Sequence, residues 1–359
     1  MLKEQHFEKA KRERKSVKCV VWDLDNTLWK GTLLEGDKLK LKTGVLEVLQ
    51  ELDDRGILQS IASRNDYDLA WGMLKAFKID HFFLYPQIGW TNKSESMRVI
   101  AQSLNIGLDT FAFVDDEPYE RDEVNFTIPE VITIDAKNLP RIPSMDMMMP
   151  RFVTSESKLR RSIYQDDMRR NSVQESFTGN HEAFLSSLHM RLTIREASES
   201  DLQRAEELTI RTHQLNTTGY TYSYEELNAF RLSPNHLLLV AELEDKYGSS
   251  GTIGLSLVER QSGFWLLRLL IMSCRVMSRG VGGIMLQFIM HLAKENAVKL
   301  RAEFISNDRN RMMYVTYKFN GFTEISEDRG LLLLENDISR INPYPAYIQL
   351  QLPRLLEAV

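Results

Sequence analysis

Short apolar runs alternate with amphipathic segments over the first third of the chain, beginning at Val17. Short runs rich in β-branched residues are typical of buried strands, whereas apolar residues every three to four positions are typical of a helix face. The strand-like segments are VKCVVWDL, LQSIAS, TFAFVDD and VITID, and the helix-like segments are GVLEVLQELDDRG, DLAWGMLKAF and SMRVIAQSLNI. This alternation predicts an α/β domain with a parallel sheet covered by helices on both faces.

A second pattern follows a stretch of prolines, methionines and charges. The strand-like segments RLTIREA, HLLLVAEL, TIGLSLVE, FWLLRLLIMS and KLRAEFI surround a helix SDLQRAEELTIRTHQL and a helix from Val281, and a last helix and strand follow. We therefore predict a second α/β domain. The predicted boundaries are a tail at 1–16, a first domain at 17–137, a linker and helical region at 138–183 and a second domain at 184–359.

Composition narrows the classes of partner. A net charge of -5 gives no reason to expect nucleic acid, and no apolar run is long enough to span a membrane or to act as a secretory signal. The chain has only two cysteines, Cys19 and Cys274. Free thiols without a membrane segment predict a cytoplasmic protein.

Polar side chains follow several of the predicted strands in the first domain. Asp23 and Asp25 follow a buried strand with one residue between them. The later strand ends and loops supply Ser63, Lys93, Asp115 and Asp116. Ligands of open α/β sheets bind at the carboxyl ends of the strands. Carboxylates and a lysine together match what Mg²⁺ and a transferring phosphoryl group require.

This order of motifs, DLDNT followed by SRND, TNKS and VDDE, resembles the haloacid dehalogenase (HAD) superfamily of aspartyl-phosphate phosphotransferases. The resemblance implies that Asp23 is the nucleophile and that Asp25 is the general acid and base at the leaving oxygen. It also implies that Thr27 and Ser63 hold phosphate oxygens and that Lys93 neutralises them.

The same resemblance implies a Mg²⁺ site. Asp23, Asp115 and the backbone of Asp25 are the implied ligands, and Asp116 is implied to support them. The spacing between the motifs leaves no room for a large cap domain, so we expect a HAD-type Rossmannoid parallel sheet without one. An uncapped site admits a large or protein-borne substrate.

Cys274 lies in LLRLLIMSCRVMSRGVGG, where a strand runs into a glycine-rich turn that opens a helix. A helix start favours a thiolate, and its backbone N–H groups favour an anionic or carbonyl ligand. The alternative is a buried cysteine of the core. RGVGGI resembles the coenzyme A loop of GNAT acyltransferases, with Arg279, Gly280 and Gly282 in the phosphate-holding positions. In that superfamily the pantetheine arm lies along the splayed strand.

The two halves together, with RTHQLNTTGYTYS and MSCRVMSRGV, resemble the FkbH-like family of the HAD superfamily in polyketide biosynthesis. The resemblance implies a bifunctional glyceryltransferase/phosphatase that uses Mg²⁺. Its implied substrate is 1,3-bisphosphoglycerate, and its implied partner is an acyl carrier protein (ACP) with a phosphopantetheine arm. Glyceryl-ACP then supplies extenders of the methoxymalonyl type. The competing interpretations are a HAD phosphatase fused to a coenzyme A-dependent acetyltransferase, and a second domain that only docks a carrier.

In that setting Cys274 is expected to displace the phosphate of an acyl phosphate and to carry the acyl group as a thioester. Gln214 and Asn216 are expected either to contact the glyceryl carbonyl and hydroxyls or to form a structural loop. His213 is a candidate base for the thiol, or is structural. Basic residues of the linker form either a face that steers an acidic carrier or a solvated helix balanced by Glu156, Asp166 and Asp167; they are Lys158, Arg160, Arg161, Arg169 and Arg170.

Overall fold

The computed structural model describes residues 16–212 and 214–353. The predicted tail, apart from its last residue, and His213 therefore lie outside the described residues. The chain divides into two units between Met168 and Arg169, within the region predicted as a linker. Among the described residues no helix is both long and apolar enough to cross a membrane.

The first unit alternates strands and helices. Its elements in chain order are β1 (Cys19–Trp22), β2 (Trp29–Lys30), β3 (Lys40–Leu41), α1 (Val45–Asp54), β4 (Leu58–Ser63), α2 (Tyr67–Ala76), β5 (Gln87–Ile88), α3 (Lys93–Leu104), β6 (Phe111–Asp115), α4 (Pro118–Thr127) and β7 (Ile132–Asp135). Helix α5 (Ser155–Ser176) follows, and the boundary between the units lies within it.

Five strands of the first unit form a parallel sheet in the order β5-β4-β1-β6-β7. Alternate residues of β1 face opposite sides: Val20 and Trp22 join one apolar cluster, and Cys19 and Val21 join the other. Both faces are therefore buried, as a parallel sheet covered by helices requires. The predicted α/β class is confirmed. No large cap domain is inserted between the described strands; β2 and β3 pair only with each other.

The predicted linker begins as part of the first unit. Two short 3₁₀ helices at 136–148 bury Leu139, Ile142 and Met148 in the cluster beneath Val20 and Trp22. The prolines interrupt regular α-helix without removing the apolar residues from the core. Residues 138–148 are thus packed structure.

The second unit is built on one large sheet. Its elements are α6 (His181–Ser187), β8 (Met190–Glu196), α7 (Leu202–Arg211), α8 (Tyr224–Leu232), β9 (His236–Asp245), β10 (Gly248–Gln261), β11 (Phe264–Met272), α9 (Val281–Glu295), β12 (Lys299–Ile305), α10 (Arg311–Phe319), β13 (Phe322–Asp328), β14 (Leu331–Asn336) and β15 (Ile348–Gln351). The strand order is β13-β14-β12-β11-β10-β9-β8-β15. Among the described strands of this sheet, only β11–β12 and β15–β8 are parallel pairs.

Two differences from the sequence expectation concern the helices of this unit. The predicted helix through Leu215 ends at Arg211, because Leu215 and the residues after it pair with strands instead. Helix α9 begins at Val281, whereas Cys274 begins a separate six-residue 3₁₀ helix at Cys274–Arg279. The thiol therefore does not stand at the start of an α-helix, and the helix-dipole argument for it does not hold.

Candidate active site

The carboxyl ends of β1 and β6 bring three carboxylates together. Trp22 of β1 lies opposite Val114 of β6, so the next residues, Asp23 and Asp115, are neighbours at the sheet edge. Asp23, Asp115 and Asp116 each offer a carboxylate oxygen, and these oxygens all lie within 4.8 Å of one another. The acidic edge predicted from the strand ends therefore exists as a cluster.

Lys93 is the counter-charge of this cluster. Its Nζ donates to Asp23 Oδ1 at 2.5 Å and to the carbonyl oxygen of Ala62 at 2.8 Å, and it lies 3.1 Å from Asp115 Oδ2. The lysine side chain is only 3% exposed. Burial favours the neutral amine, but the two carboxylates outweigh it and raise the pKa of Lys93 above its ordinary value.

The carboxylates themselves are under electrostatic strain. Burial, with repulsion from Asp23, raises the pKa of Asp115 to about 7, and the same two causes raise the pKa of Asp116. One buried lysine does not balance three adjacent carboxylates. A divalent cation at this edge would supply the missing positive charge.

The arrangement fits Mg²⁺. Asp115 Oδ2 is buried and forms no regular hydrogen bond with the described residues, although Lys93 lies close enough for an ion pair. Mg²⁺ takes oxygen ligands, and one or two carboxylates with retained waters suffice. Asp23 and Asp115 would hold the ion, and Asp116 would complete the acidic surroundings. The side chain of Asp25 is not part of the three-carboxylate cluster.

Asp25 is held in place by three donors. Its Oδ1 accepts from Trp29 Nε1 at 2.7 Å and from the backbone N–H of Leu33 at 3.1 Å, and its Oδ2 accepts from Asn65 Nδ2 at 2.9 Å. The carboxyl group is half-buried beside the cluster. Trp29 and Asn65 were not singled out from the sequence. The SRND motif contains Asn65, but no residue spacing identifies Asp25 as its partner.

Two predicted phosphate contacts are placed near the same edge. Thr27 is fully buried, and its hydroxyl donates to Asp116 Oδ1 at 3.3 Å and accepts from the Asp116 N–H at 3.1 Å. Ser63 is the last residue of β4, the strand next to β1. Thr27 therefore orients Asp116, and Ser63 borders the cluster at the neighbouring strand end.

Lys42 is a further cation that the sequence did not reveal. Its Nζ donates to the carbonyl oxygen of Asn26, and its charge acts on Asp116, Asp135 and Asp23. Partial burial lowers the pKa of this lysine. Lys42 thus adds positive potential near Asp116 and Asp23, which favours the binding of an anionic substrate.

The predicted residues of the second unit fall into two groups. Cys274 follows β11 after one residue, and it is partly exposed. Ser273 donates its backbone N–H to the Ile253 carbonyl at 2.6 Å, which extends the pairing of β11 with β10 up to the residue before the thiol. The Oε1 atom of Gln214 is buried and has no partner among the described residues. Gln214 Oε1 can therefore still accept a hydrogen bond from a ligand.

Asn216 and the glycine-rich loop have structural partners instead. Asn216 Oδ1 accepts from the N–H groups of Thr218 and Gly219 at 3.1 and 2.9 Å, so its amide closes its own loop. Arg279 is buried, and its guanidinium lies 3.4 Å from Ser250 Oγ and 3.6 Å from Asp245 Oδ2. The charge of Arg279 is therefore directed to an internal carboxylate, and any phosphate contact at this residue would come from the backbone N–H groups of the loop.

The two glycines of that loop are explained by packing. Gly280 has φ of 72°, and a Cβ there would lie 2.5 Å from the Tyr347 hydroxyl oxygen. A Cβ at Gly282 would lie 3.2 Å from Met272 Cγ, so this glycine lets α9 approach β11 closely. The backbone conformation of Gly280 therefore favours glycine without any bound phosphate, and the contact with Met272 favours a small residue at Gly282.

The predicted basic face of α5 is also corrected. Arg160 is buried and donates to the carbonyl oxygen of Gly56 at 3.0 Å, and Arg161 pairs with Asp53 at 2.8 Å. Arg170 pairs with buried Asp245 at 2.6 Å. Three of the five cations thus bind internal acceptors and do not form an exposed surface.

Several solved structures are similar to part of the chain. No family model and no curated protein matches the chain. The N-terminal part of the protein BF1531 from Bacteroides fragilis, which contains a phosphatase domain complexed with Mg, is 26% identical over 38% of this chain, with a TM-score of 0.30. The match covers 41% of that chain, so this protein spans about two fifths of its length.

Two acetyltransferases are also similar to part of the chain. The ribosomal-protein-S18-alanine N-acetyltransferase from Escherichia coli is 15% identical, with 42% of this chain and 96% of that chain covered and a TM-score of 0.34. The PaiA N-acetyltransferase from Thermoplasma acidophilum, in complex with coenzyme A, is 18% identical, with coverages of 40% and 98% and a TM-score of 0.33. These low TM-scores do not establish an activity for this chain.

Proposed function

We propose that the first unit is a Mg²⁺-dependent phosphatase that works through an aspartyl phosphate on Asp23. The observation that carries this proposal is the position of Lys93, which contacts both Asp23 and Asp115 at the carboxyl edge of the parallel sheet. A buried ammonium between two carboxylates prepares a place for a phosphoryl group, whose negative oxygens it would neutralise.

The two carboxylates of DLDNT divide the chemistry between them. The Asp23 carboxylate attacks phosphorus, the bond from phosphorus to the substrate oxygen breaks, and Asp25 donates a proton to that oxygen. Water then attacks the aspartyl phosphate while Asp25 accepts its proton, which releases inorganic phosphate and restores Asp23. Mg²⁺, when bound, neutralises the phosphoryl oxygens. The three donors to Asp25 orient its carboxyl group for these transfers.

For the second unit we propose acyl transfer through Cys274. The Cys274 thiolate attacks the C1 carbonyl of 1,3-bisphosphoglycerate, the bond from C1 to the phosphate oxygen breaks, and inorganic phosphate leaves. The phosphopantetheine thiolate of an acyl carrier protein then displaces the Cys274 thiolate and takes the acyl group. Partial exposure of Cys274 at the end of β11 supports this role.

Both activities together amount to loading of a glyceryl unit onto a carrier protein for polyketide biosynthesis. The C3 phosphate is a monoester with a very slow uncatalysed hydrolysis, and it is the group that the Asp23 site is suited to remove. The competing function is a phosphatase fused to a coenzyme A-dependent acetyltransferase. It predicts turnover of acetyl-CoA that does not depend on Cys274.

Intact mass spectrometry tests the proposal. Wild-type protein with 1,3-bisphosphoglycerate and no carrier is expected to gain the mass of a glyceryl or phosphoglyceryl group, and Cys274→Ala is expected to gain none. Added carrier should remove the adduct and acquire the same unit, because thioester exchange is nearly neutral in free energy. The matched control is Cys19→Ala, which removes the other thiol. Full carrier loading by Cys274→Ala would refute the covalent route.

A further inference from the structure

The two central strands of the large sheet separate part of the way along their length. Strands β11 and β12 pair from Phe264–Leu267 with Lys299–Ala302 and no further. Beyond that point β11 continues to Met272 and β12 continues to Ile305. Each strand would therefore present unpaired backbone groups to the gap, unless another segment meets them.

A segment from the loop after α7 lies in this gap. We call Leu215–Thr217 the inserted segment. Thr217 N–H donates to the Leu270 carbonyl at 3.2 Å, and the Leu270 N–H donates to Thr217 Oγ1 at 3.1 Å. The Met272 N–H donates to the Leu215 carbonyl at 2.9 Å. The inserted segment thus uses the free edge of β11.

The same segment also binds the other strand. The Ile305 N–H of β12 donates to the Thr217 carbonyl at 2.9 Å, so Thr217 joins both separated strands. Asn310 Nδ2 donates to the Asn216 carbonyl at 3.0 Å and to the Ile305 carbonyl at 2.8 Å. Asn216, Thr217 and Asn310 are all buried. The inserted segment is therefore hydrogen-bonded to β11 on one side and to β12 and Asn310 on the other.

An open gap between two separating strands is a template for an extended ligand with amide groups. Such a ligand binds by adding main-chain-type hydrogen bonds to the free edge, in the manner of an added strand. The pantetheine arm of coenzyme A has this chemistry. Here the N–H groups of Leu270, Met272 and Ile305 already donate to the inserted segment.

We propose that the inserted segment is a built-in specificity element, which prevents coenzyme A from binding between β11 and β12. This inference rests on the proposed function in one respect: the acyl acceptor meets the second unit only at the Cys274 end of β11. The phosphopantetheine arm of a carrier protein has the same amide groups, so it is kept out of the gap as well and reaches Cys274 from outside the gap. The carrier protein can be held there by its own surface, whereas coenzyme A lacks that surface and has no second point of attachment.

Hydrogen exchange on the full-length protein with coenzyme A as the probe tests the inference. In the protein without coenzyme A, the amides of Leu270, Met272 and Ile305 are expected to exchange at least about a hundredfold more slowly than the same amides in an unfolded chain. Coenzyme A at about 1 mM should change none of them and should give no binding heat. Rapid exchange of these amides, or coenzyme A binding that protects them further, would overturn the inference.

Thr217→Val gives a more local test, because it removes the hydroxyl that accepts from Leu270 and keeps the shape of the side chain. We expect the Leu270 amide to exchange about tenfold faster, and Ile305, which donates to the Thr217 carbonyl, to change less. The matched control is Thr218→Val, whose hydroxyl accepts from Tyr220 N–H in the same loop. Equal acceleration at Leu270 in both variants would contradict the assignment.

Failure of this inference can be distinguished from failure of the proposed function. Wild-type protein that excludes coenzyme A but loads no carrier would remove the proposed acyl transfer and leave the specificity element in place. Wild-type protein that loads the carrier and also binds coenzyme A at these amides would do the reverse. If Thr217→Val does not fold, the exchange measurements on the wild-type protein decide the matter.

Discussion

Lys93 Nζ lies 2.5 Å from Asp23 Oδ1, although the two residues are separated by 70 positions in the chain. The strand order explains the contact, because β1 and β4 are adjacent and the lysine, at the start of α3, also binds the carbonyl oxygen of Ala62 in β4. The proposed nucleophile is thus positioned by a buried cation before any substrate arrives.

Asp23→Asn is expected to reduce phosphate release at least about a hundredfold, because an amide does not form an aspartyl phosphate. The measurement is inorganic phosphate released with Mg²⁺ present. Asp68→Asn, an exposed carboxylate in α2, is the matched control and should keep full activity. If Asp23→Asn retained half of the wild-type turnover, Asp23 would not be the nucleophile.

Mg²⁺ is expected to raise the melting temperature of the wild-type protein, since an ion that binds only the folded state stabilises it. Asp115→Ala should lose most of this increase, because it deletes an oxygen ligand and the repulsion that the ion relieves. Thermal unfolding with and without Mg²⁺ measures the difference. Asp135→Ala, at the end of the adjacent strand β7, is the control. An unchanged Mg²⁺ effect in Asp115→Ala would rule out the assigned metal site.

Trp29→Phe should slow the release of poor leaving groups more than that of good ones. The indole N–H fixes Asp25, and protonation by Asp25 matters most when the leaving oxygen is strongly basic. We expect a loss of about tenfold with a phosphoglycerate and a smaller loss with an aryl phosphate. Trp71→Phe, in α2, is the control. Equal losses with both substrates would show that Trp29 acts on the fold and not on Asp25.

The two cysteines should differ in reactivity. Burial raises the pKa of Cys19, so its thiol stays protonated and inaccessible at neutral pH, whereas Cys274 is partly exposed. Iodoacetamide is expected to modify Cys274 alone in the native protein. Peptide mapping reads out the site, and labelling of Cys19 at a comparable rate would contradict this expectation.

The same burial predicts a pH dependence of stability. The folded-state pKa of Cys19 lies above that of the unfolded chain, so the native protein holds the proton that the unfolded chain loses. The free energy of unfolding should fall as pH rises above about 8.5, by about 1.4 kcal/mol per pH unit from this thiol. Cys19→Ala should show a shallower decline in chemical denaturation at pH 8 to 10. Parallel curves would show that Cys19 does not cause the loss.

The acidic edge was predictable because a parallel sheet places successive strand ends side by side. Asp23 follows β1 and Asp115 ends β6, so both lie at the carboxyl edge of the sheet, where the sequence predicted a shared site. The donors to Asp25 were not predictable in this way. Trp29 reads as an apolar core residue, and only the turn after β1 brings its indole N–H to the carboxylate.

In the second unit, local sequence patterns gave predictions that the structure does not confirm. The apolar periodicity of SDLQRAEELTIRTHQL favours a helix to its end, but the last residue pairs with β11 instead. Hydrogen bonds to strands far along the chain outweigh local helix preference there. For the same reason Arg279 resembles a phosphate ligand in sequence, while its guanidinium binds Asp245 from another strand.

Strand β15 lies at the edge of the large sheet and pairs in parallel with β8, the first strand of the second unit. During synthesis the first unit has all its sheet strands once Asp135 has left the ribosome. The second sheet keeps an open edge along β8 until Ile348–Gln351 emerges. A nascent chain halted shortly before that point would expose a strand edge prone to aggregation.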